Sequence, residues 1–327
     1  VTRYALAVDV GGTKMEAALV DEHGVLVGGS RSRQATGRQA TLESLNDAVI
    51  SIVTHALAAV PADADLVGAG AGSAGPIDRA AGAIMPVNMP LARGFGLAES
   101  VRSAASAALG REVPTVLGHD GGALALAESW LGATQDAGAS LSIVVSTGVG
   151  GGFVVNGAYI PGATGNAGHL GQVRREGGLT LEEIASGPAS AAWAQQQGWT
   201  GATGEDLARD AAAGDAVARA AIERSAKAVG EALADAATLV DLDMVAIGGG
   251  FSRVSADYID LVQQALTASA AHEYSRRTRV VRSGLGDEGP LIGAAALVLR
   301  GPVGHRGISA PRRSGDAAAL RVGPPRP

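Results

Sequence analysis

Asp9-Val-Gly11-Gly12-Thr13-Lys14 sets a carboxylate, two glycines, a hydroxyl and an ammonium side by side. Glycines in a tight turn let a ligand approach the backbone with no Cβ in the way. The turn's amides and the Thr13 hydroxyl can donate to phosphate oxygens, and Asp9 can hold metal-bound water. The chemistry that fits is the binding of a polyphosphate with its magnesium ion. The same residues also describe a plain β-hairpin with a glycine turn, and from this stretch alone the two readings stand level.

A second set has the same character. Ser146-Thr147-Gly148-Val-Gly150-Gly151-Gly152 again places a hydroxyl among glycines between two apolar runs. A third glycine cluster, Gly248-Gly249-Gly250, follows the apolar run Met244 to Ile247. His119-Asp120 stands where an extended run meets a helical one. An aspartate there is commonly a helix N-cap, and in an open α/β sheet it also lies where active-site residues gather.

The elements that must position these groups follow from periodicity. Tyr4 to Val10 reads as a buried strand, and Met15 to Val20 as its partner across the glycine turn. Glu22-His23-Gly24 turns the chain into an expected third strand, Val25 to Gly28. Thr41 caps a helix whose apolar stripe is Leu42, Leu45, Val49, Ile52, Val53 and Leu57, ended by Pro61. A buried strand follows around Leu66 to Ala71. Glu99 to Leu109 is helical, Val113 to Leu117 a strand, and Gly121 to Trp130 a helix.

From Leu141 the opening pattern returns: strand, glycine turn, strand, the hairpin signal Asn156-Gly157, and strand. Each half of the chain therefore begins with the same three-strand unit, and two such turns facing across a cleft could clamp one polyphosphate. Pro161 to Gly178 is irregular. A helix is expected from Thr180 through Pro188, then helices over Gly204 to Ala213 and Asp215 to about Val240. The last should bury Val217, Ala221, Ala228, Ala232 and Leu239. After the Met244 strand come a helix from Tyr258 to Ala270, a strand at Arg279, and a closing helix from Leu291 to Leu299.

Gly70-Ala-Gly72-Ser-Ala-Gly75 matches G-x-G-x-x-G in form. The dinucleotide fingerprint needs a helix to begin inside its glycines. Pro76 follows at once, Asp78, Gly82 and Pro86 break any helix, and no ribose-binding acid ends a second strand. A loop leading to Asn88-Met89-Pro90 is the better reading.

The chain has 327 residues, 46% of them hydrophobic and 18% charged, with a net charge of −6. That size accommodates two domains, and the acidic balance argues against a nucleic-acid partner. There is no cysteine, which excludes disulfides and thiolate metal sites. No apolar run approaches a membrane span and the first strand lies near residue 1, so no membrane partner, no signal peptide and a cytoplasmic location are expected. Lysine occurs only at Lys14 and Lys227, which makes Lys14 beside a glycine turn mildly informative. Residues 301–327, rich in Pro, Gly and Arg, are expected to form a disordered tail.

Taken together, these motifs resemble the ROK family of bacterial sugar kinases, in the actin/hexokinase superfamily, over about residues 4–300. Its D-x-G-G-T-K stands at Asp9 to Lys14. Its G-T-G-x-G-G-G is Ser146 to Gly152, with Ser for the first glycine, and its I-G-G-G-x-S is Ile247 to Ser252. The family's N-D-A-N-A-A-A matches His119-Asp120-Gly-Gly-Ala-Leu-Ala. The P-G-P-V-D and N-L-P sugar loops match Ala74 to Asp78 and Asn88-Met89-Pro90.

The resemblance implies an α/β fold of two actin-like (ribonuclease H-like) domains around a central cleft. They are expected at 1–117, completed by a helix at 290–300, and at 118–289. It implies ATP-dependent phosphorylation of a hexose, glucose at its 6-position first, N-acetylmannosamine or another amino sugar second. A non-catalytic sugar-binding or regulatory protein is a further alternative. Family repressors carry an N-terminal helix-turn-helix, whereas this chain opens on the phosphate strand, so regulation is not the expected role.

Asp120 would be the base. Asp9, Gly11, Gly12, Thr13, Lys14, Thr147, Gly148 and Gly150 would hold phosphate and Mg²⁺, and Gly248, Gly249 and Gly250 the nucleotide. Gly75, Asn88, His119, Asp120, His169 and Glu182 would meet the sugar. A homodimer is the expected assembly. The family's zinc-bearing stretch is stripped here: His169 stands at its usual Glu and Gln172 at its zinc histidine, and the cysteines are missing. Four N/S ligands are not available, and no structural zinc is expected.

Overall fold

The computed structural model describes residues 1–300; the expected tail at 301–327 lies outside the described residues. β1 (Arg3–Val10) and β2 (Lys14–Asp21) pair antiparallel across the first glycine turn. Val10 stands opposite Met15 and Asp9 opposite Glu16. β3 (Ser32–Ala35) pairs with β2. The strand expected at Val25 to Gly28 is reduced to a single bridge between Leu26 and Val20. Gly29, at φ 78°, turns the chain away, and pairing resumes only at Ser32.

α1 (Leu42–Leu57) is capped by Thr41, whose hydroxyl and Ser44 form reciprocal bonds. It buries Leu45, Val49, Ile52, Val53 and Leu57 as its spacing requires. Leu42 does not join them: in the first turn it is 47% exposed. β4 (Asp65–Ser73) runs parallel to β1. A small hairpin, β5 (Ile77–Asp78) and β6 (Ala83–Ile84), precedes α2 (Leu97–Leu109) and β7 (Thr115–His119). The sheet order is β3-β2-β1-β4-β7.

α3 (Asp120–Leu131) leads into β8 (Ala139–Val145), β9 (Val149–Val155) and β10 (Ala158–Ile160). α4 (Leu181–Ala185) and α5 (Gly187–Gln196) replace the single helix expected over this stretch. Ser186 turns extended (ψ 157°) between them, caps α5 through Ala189 N–H, and Pro188 occupies the first turn of the new helix. α6 (Gly204–Ala212), α7 (Ala216–Val240), β11 (Met244–Gly248), α8 (Tyr258–Ser269), α9 (Glu273–Arg276), β12 (Arg279–Arg282) and α10 (Gly289–Leu299) complete the fold. The second sheet reads β10-β9-β8-β11-β12, the same order as the first. In α7, Ala221, Ala228 and Ala232 are buried as expected, Val217 only partly so. Leu239, in the last turn, is 84% exposed.

Each sheet has its own apolar core. α10 lies on β1 and β4 of the first sheet, α3 lies on β8 and β9 of the second, and the two helices pack on each other. Glycines permit these contacts. A Cβ on Gly70 would strike the Ala294 carbonyl in α10, one on Gly152 would strike the Gly122 Cα in α3, and one on Gly293 would lie 2.7 Å from the Ala123 carbonyl. The G-x-G-x-x-G match is thereby accounted for: Gly70 and Gly72 are mid-strand residues of β4, and Gly70 makes room for a helix.

Glu128 of α3 is wholly buried. Its carboxylate accepts from Ala133 N–H at 2.7 Å, Gly284 N–H at 3.2 Å, Leu285 N–H at 3.3 Å and the Ser283 hydroxyl. It thus fastens α3 to the segment between β12 and α10. Among the described residues, no helix is long and apolar enough to cross a membrane.

Candidate active site

The first glycine turn is closed by Gly11 N–H donating to the Lys14 carbonyl at 2.9 Å. Thr36, just past β3, staples it from outside: its hydroxyl donates to the Gly11 carbonyl at 2.8 Å and its N–H to the Thr13 carbonyl at 3.0 Å. Thr13 is exposed at the tip. Asn88 packs on the turn, where a Cβ on Gly12 would lie 3.3 Å from the Asn88 Cβ.

The second turn is held differently. Ser146 N–H donates to the Gly148 carbonyl at 2.9 Å, and Gly187 N–H to the Ser146 carbonyl at 2.8 Å. The Glu182 carboxylate, reaching from α4, accepts from Val149 N–H at 2.8 Å. Gly148 makes room for it, since a Cβ there would lie 2.6 Å from Glu182 Oε2. Thr147 is exposed at this tip, as Thr13 is at the other.

Asp120 is the first residue of α3 and lies within electrostatic reach of Asp9. His119, not Asp120, occupies the N-cap position, and it makes no side-chain cap bond. Asp120 Oδ1 accepts from Gly121 N–H at 2.6 Å and lies 3.1 Å from His119 Nε2. The side chain remains 43% exposed. Glycines bring it there: Gly121 and Gly122 of α3 press on Gly151 and Gly152 of β9 with no side chain between.

Asp9, at the end of β1, faces Asp120 and Glu16. Burial first, then those two carboxylates, push the Asp9 carboxyl up to about 7, with only Lys14 opposing. Glu16 is buried outright, but hydrogen bonds from Arg31 and Arg33 outweigh desolvation and hold its carboxyl below the usual range. A half-buried carboxylate such as Asp9, with carboxylates for neighbours, is relieved by a cation. That suits a magnesium ion, which is commonly held by one or two carboxylates together with substrate phosphates.

His119 and His169 lie ring to ring, tilted by 34° with centroids 4.2 Å apart. His169 Nδ1 donates to the Asn166 carbonyl at 2.8 Å, which leaves Nε2 facing away from that bond. Burial is the main cause that lowers the His119 pKa and keeps its ring neutral. Gly75 fits against both rings, and a Cβ there would lie 2.7 Å from His119 Cδ2 and 2.8 Å from His169 Nε2. Among the described residues, no three His, Asp or Glu side chains stand together as a metal site.

A cavity of ≈ 360 Å³ opens beside the second turn, bounded by Thr147, Gly187, Thr203, Gly250, Phe251 and Arg253 among others. Of the third glycine cluster, Gly250 lines it. Gly249, at φ 94°, bends the chain under Val145, and Gly248 lies against Ser283. Sequence reasoning missed the walls contributed by α5 and α6. The available signal was two N-cap residues, Ser186 and Thr203, each followed directly by glycine.

A duplicated five-stranded sheet with helices between, each half opening on a glycine turn, is an actin-like α/β fold. The chain belongs to the ROK family, whose family model matches residues 5–301. An N-acetylmannosamine kinase of Yersinia pseudotuberculosis serotype O:1b is 33% identical over 258 residues, covering 75% of this chain and 82% of that one. The ROK hexokinase from Thermus thermophilus superposes with a TM-score of 0.76 at 29% identity, over 90% of this chain and 97% of its own. A ROK glucokinase from Streptomyces griseus, solved with glucose and AMPPNP, gives 0.75 at 27% identity, over 91% and 100%.

Proposed function

We propose that the chain transfers the γ-phosphoryl group of ATP to the 6-hydroxyl of a hexose, with glucose as the acceptor. The observation that carries this is Asp120, half-exposed at the head of α3 and within electrostatic reach of Asp9 in the first sheet. Phosphoryl transfer asks for positioning and charge neutralisation more than covalent chemistry. Oδ1 of Asp120 is occupied by Gly121 N–H, which leaves Oδ2 to accept the proton of the attacking hydroxyl.

Amides of the turns at Gly12, Thr13, Gly148 and Gly150, with the Thr13 and Thr147 hydroxyls, support phosphate oxygens, the Gly11 N–H being taken by the Lys14 carbonyl, and Lys14 adds a positive charge nearby. A magnesium ion arriving with ATP would be held through Asp9 and would neutralise phosphate charge. The adenosine end occupies the ≈ 360 Å³ cavity along Gly250. His169 Nε2 accepts from a sugar hydroxyl, Asn88 and Gly75 border the same space, and His119 steadies Asp120. N-acetylmannosamine is the second reading, favoured by the 33% identity to a kinase of that sugar.

The test is an ADP-release assay with glucose, mannose, N-acetylmannosamine and N-acetylglucosamine on the wild type and Asp120→Ala. The substitution should lower kcat about 10²- to 10⁴-fold while nucleotide binding, followed by calorimetry, persists. Turnover of no hexose by the wild type, or an unimpaired variant, would defeat the proposal.

A further inference from the structure

Residues 173–181 fold into a hairpin that leads into α4. Leu181 N–H donates to the Val173 carbonyl at 2.9 Å, Arg175 N–H to the Leu179 carbonyl at 2.8 Å, and Gly178 N–H to the Arg175 carbonyl at 3.0 Å. Gly177 and Gly178, at φ 82° and 83°, make its tip. Apolar burial does not hold this hairpin down, because Val173 is 43% exposed and Leu179 44%. From Gln172 to Leu179 every residue is exposed except Arg175.

Arg175 reaches across to α7. Its Nη1 lies 2.6 Å from Asp235 Oδ2 and its Nη2 3.7 Å from Glu231 Oε2. Those carboxylates stand four residues apart on one helix and so share a face. The feet of the hairpin rest elsewhere, on Val149, the first residue of β9 after the second glycine turn. Gly171 lies against the Val149 carbonyl, which a Cβ there would strike, and Glu182 accepts from Val149 N–H at 2.8 Å. Gln172 Nε2, 3.4 Å from Glu182 Oε1, links the two feet. The far end of α4 is held separately, by Arg224 donating to the Ile184 carbonyl and the Ser225 hydroxyl to the Ala185 carbonyl, each at 2.8 Å. Loss of Arg175 therefore leaves α4 docked and loosens the hairpin alone.

We infer that Arg175 is a positioning residue for phosphoryl transfer: paired with Asp235 and Glu231 it braces the hairpin, which sets Gly171 and Glu182 on Val149 and so holds the second glycine turn in the shape that receives phosphate. This role rests on the reading of that turn as a phosphate site. Its effect falls on the nucleotide and not on the sugar, since His169 is held from the other direction, by the Asn166 carbonyl. A guanidinium 16% exposed between two carboxylates is a firmer brace than an open surface pair, and the exposed Asp235 leaves it sensitive to salt.

The test compares the full chain with Arg175→Ala, Arg175→Lys and the exchanged pair Arg175→Asp with Asp235→Arg. Arg175→Ala should raise the KM for ATP, and the calorimetric Kd of a non-hydrolysable ATP analogue, about fivefold. The hexose KM and kcat should stay within about twofold, and the urea midpoint should scarcely move. Arg175→Lys should fall between, and the exchanged pair should recover most of the loss. In Arg175→Ala the Leu181 and Val149 amides should exchange about fivefold faster, and about 0.5 M NaCl should shrink the gap from the wild type. Calorimetry and exchange need no turnover, so a wild type that phosphorylates no hexose defeats the proposed function while those two measurements still decide the role of Arg175. An unmoved analogue Kd, equal rises in the ATP and hexose KM, no recovery in the exchanged pair, or unchanged exchange at Val149 would each overturn the proposal.

Discussion

The β1–β2 and β8–β9 hairpins are copies of one unit, and counting back from the last pair of each shows where they parted. Behind Val10–Met15 stands Asp9–Glu16, a pair of carboxylates; behind Val145–Val149 stands Val144–Gly150, with no charge at all. One step further the first hairpin carries Ala17 and Ala18 where the second carries Gly151 and Gly152. The first copy kept electrostatics, with Lys14, Arg31 and Arg33 gathered on Glu16. The second gave up side chains so that α3 could lie on it and present Asp120. A duplicated frame can thus divide one task, charge on one side and close approach on the other.

The division is open to attack from its strongest point downward. Asp9→Asn should lower kcat/KM about 10²- to 10³-fold, whereas Val144, its counterpart, should tolerate change to Ile. The Asp9 carboxyl also makes a pH signature. In the fold it keeps its proton to about pH 7, while the unfolded chain releases it near 3.8. Between those values the folded state holds more protons, so stability falls as pH rises through that window. Asp9→Asn should therefore raise the urea midpoint more at pH 8 than at pH 5, and the wild type's kcat/KM should decline below about pH 7. Equal shifts at both pH values would remove the charge from the account.

Gly152→Val is the matching blow to the second hairpin. Its side chain would meet Gly122 and Gly121, and urea unfolding should show a loss of about 3 kcal/mol, against little change for Ala18→Gly. Glu182→Gln should come next. It weakens the acceptor for Val149 N–H, and the KM for ATP should rise about tenfold with the sugar KM nearly unmoved. A rise in the sugar KM instead would show Glu182 at the sugar, as the family resemblance implies. The smallest effect is expected from Thr36→Val, which removes the staple on Gly11 at a cost of about 1 kcal/mol in unfolding free energy.

Much of this was legible in the sequence because it is local. The glycine turns, the repeat, the Asn156-Gly157 hairpin and the amphipathic stripe of α1 are written in adjacent residues, and Pro76 with the helix breakers after it dismissed a dinucleotide turn. What escaped depends on contacts distant along the chain. The third strand lies at Ser32, where Arg33 can reach Glu16, and not at Val25. The break between α4 and α5 follows from Ser186 capping a helix that places Gly187 against the second turn. Glu182 is expected at the sugar from the family resemblance alone, and only the fold sets the Val149 N–H before it. The exposure of Leu42 and Leu239 follows from where their helices outrun the sheets.

The buried carboxylate of Glu128 has a mechanical consequence. The chain passes from one half to the other twice, at His119–Asp120 and again beyond Ser283. α3 starts at the first crossing, and Glu128 grips the second through Gly284 and Leu285. Both crossings are thereby tied to one rod, roughly 18 Å long for its twelve residues. A swing of one sheet relative to the other would carry both crossings with that rod, at whose head Asp120 stands.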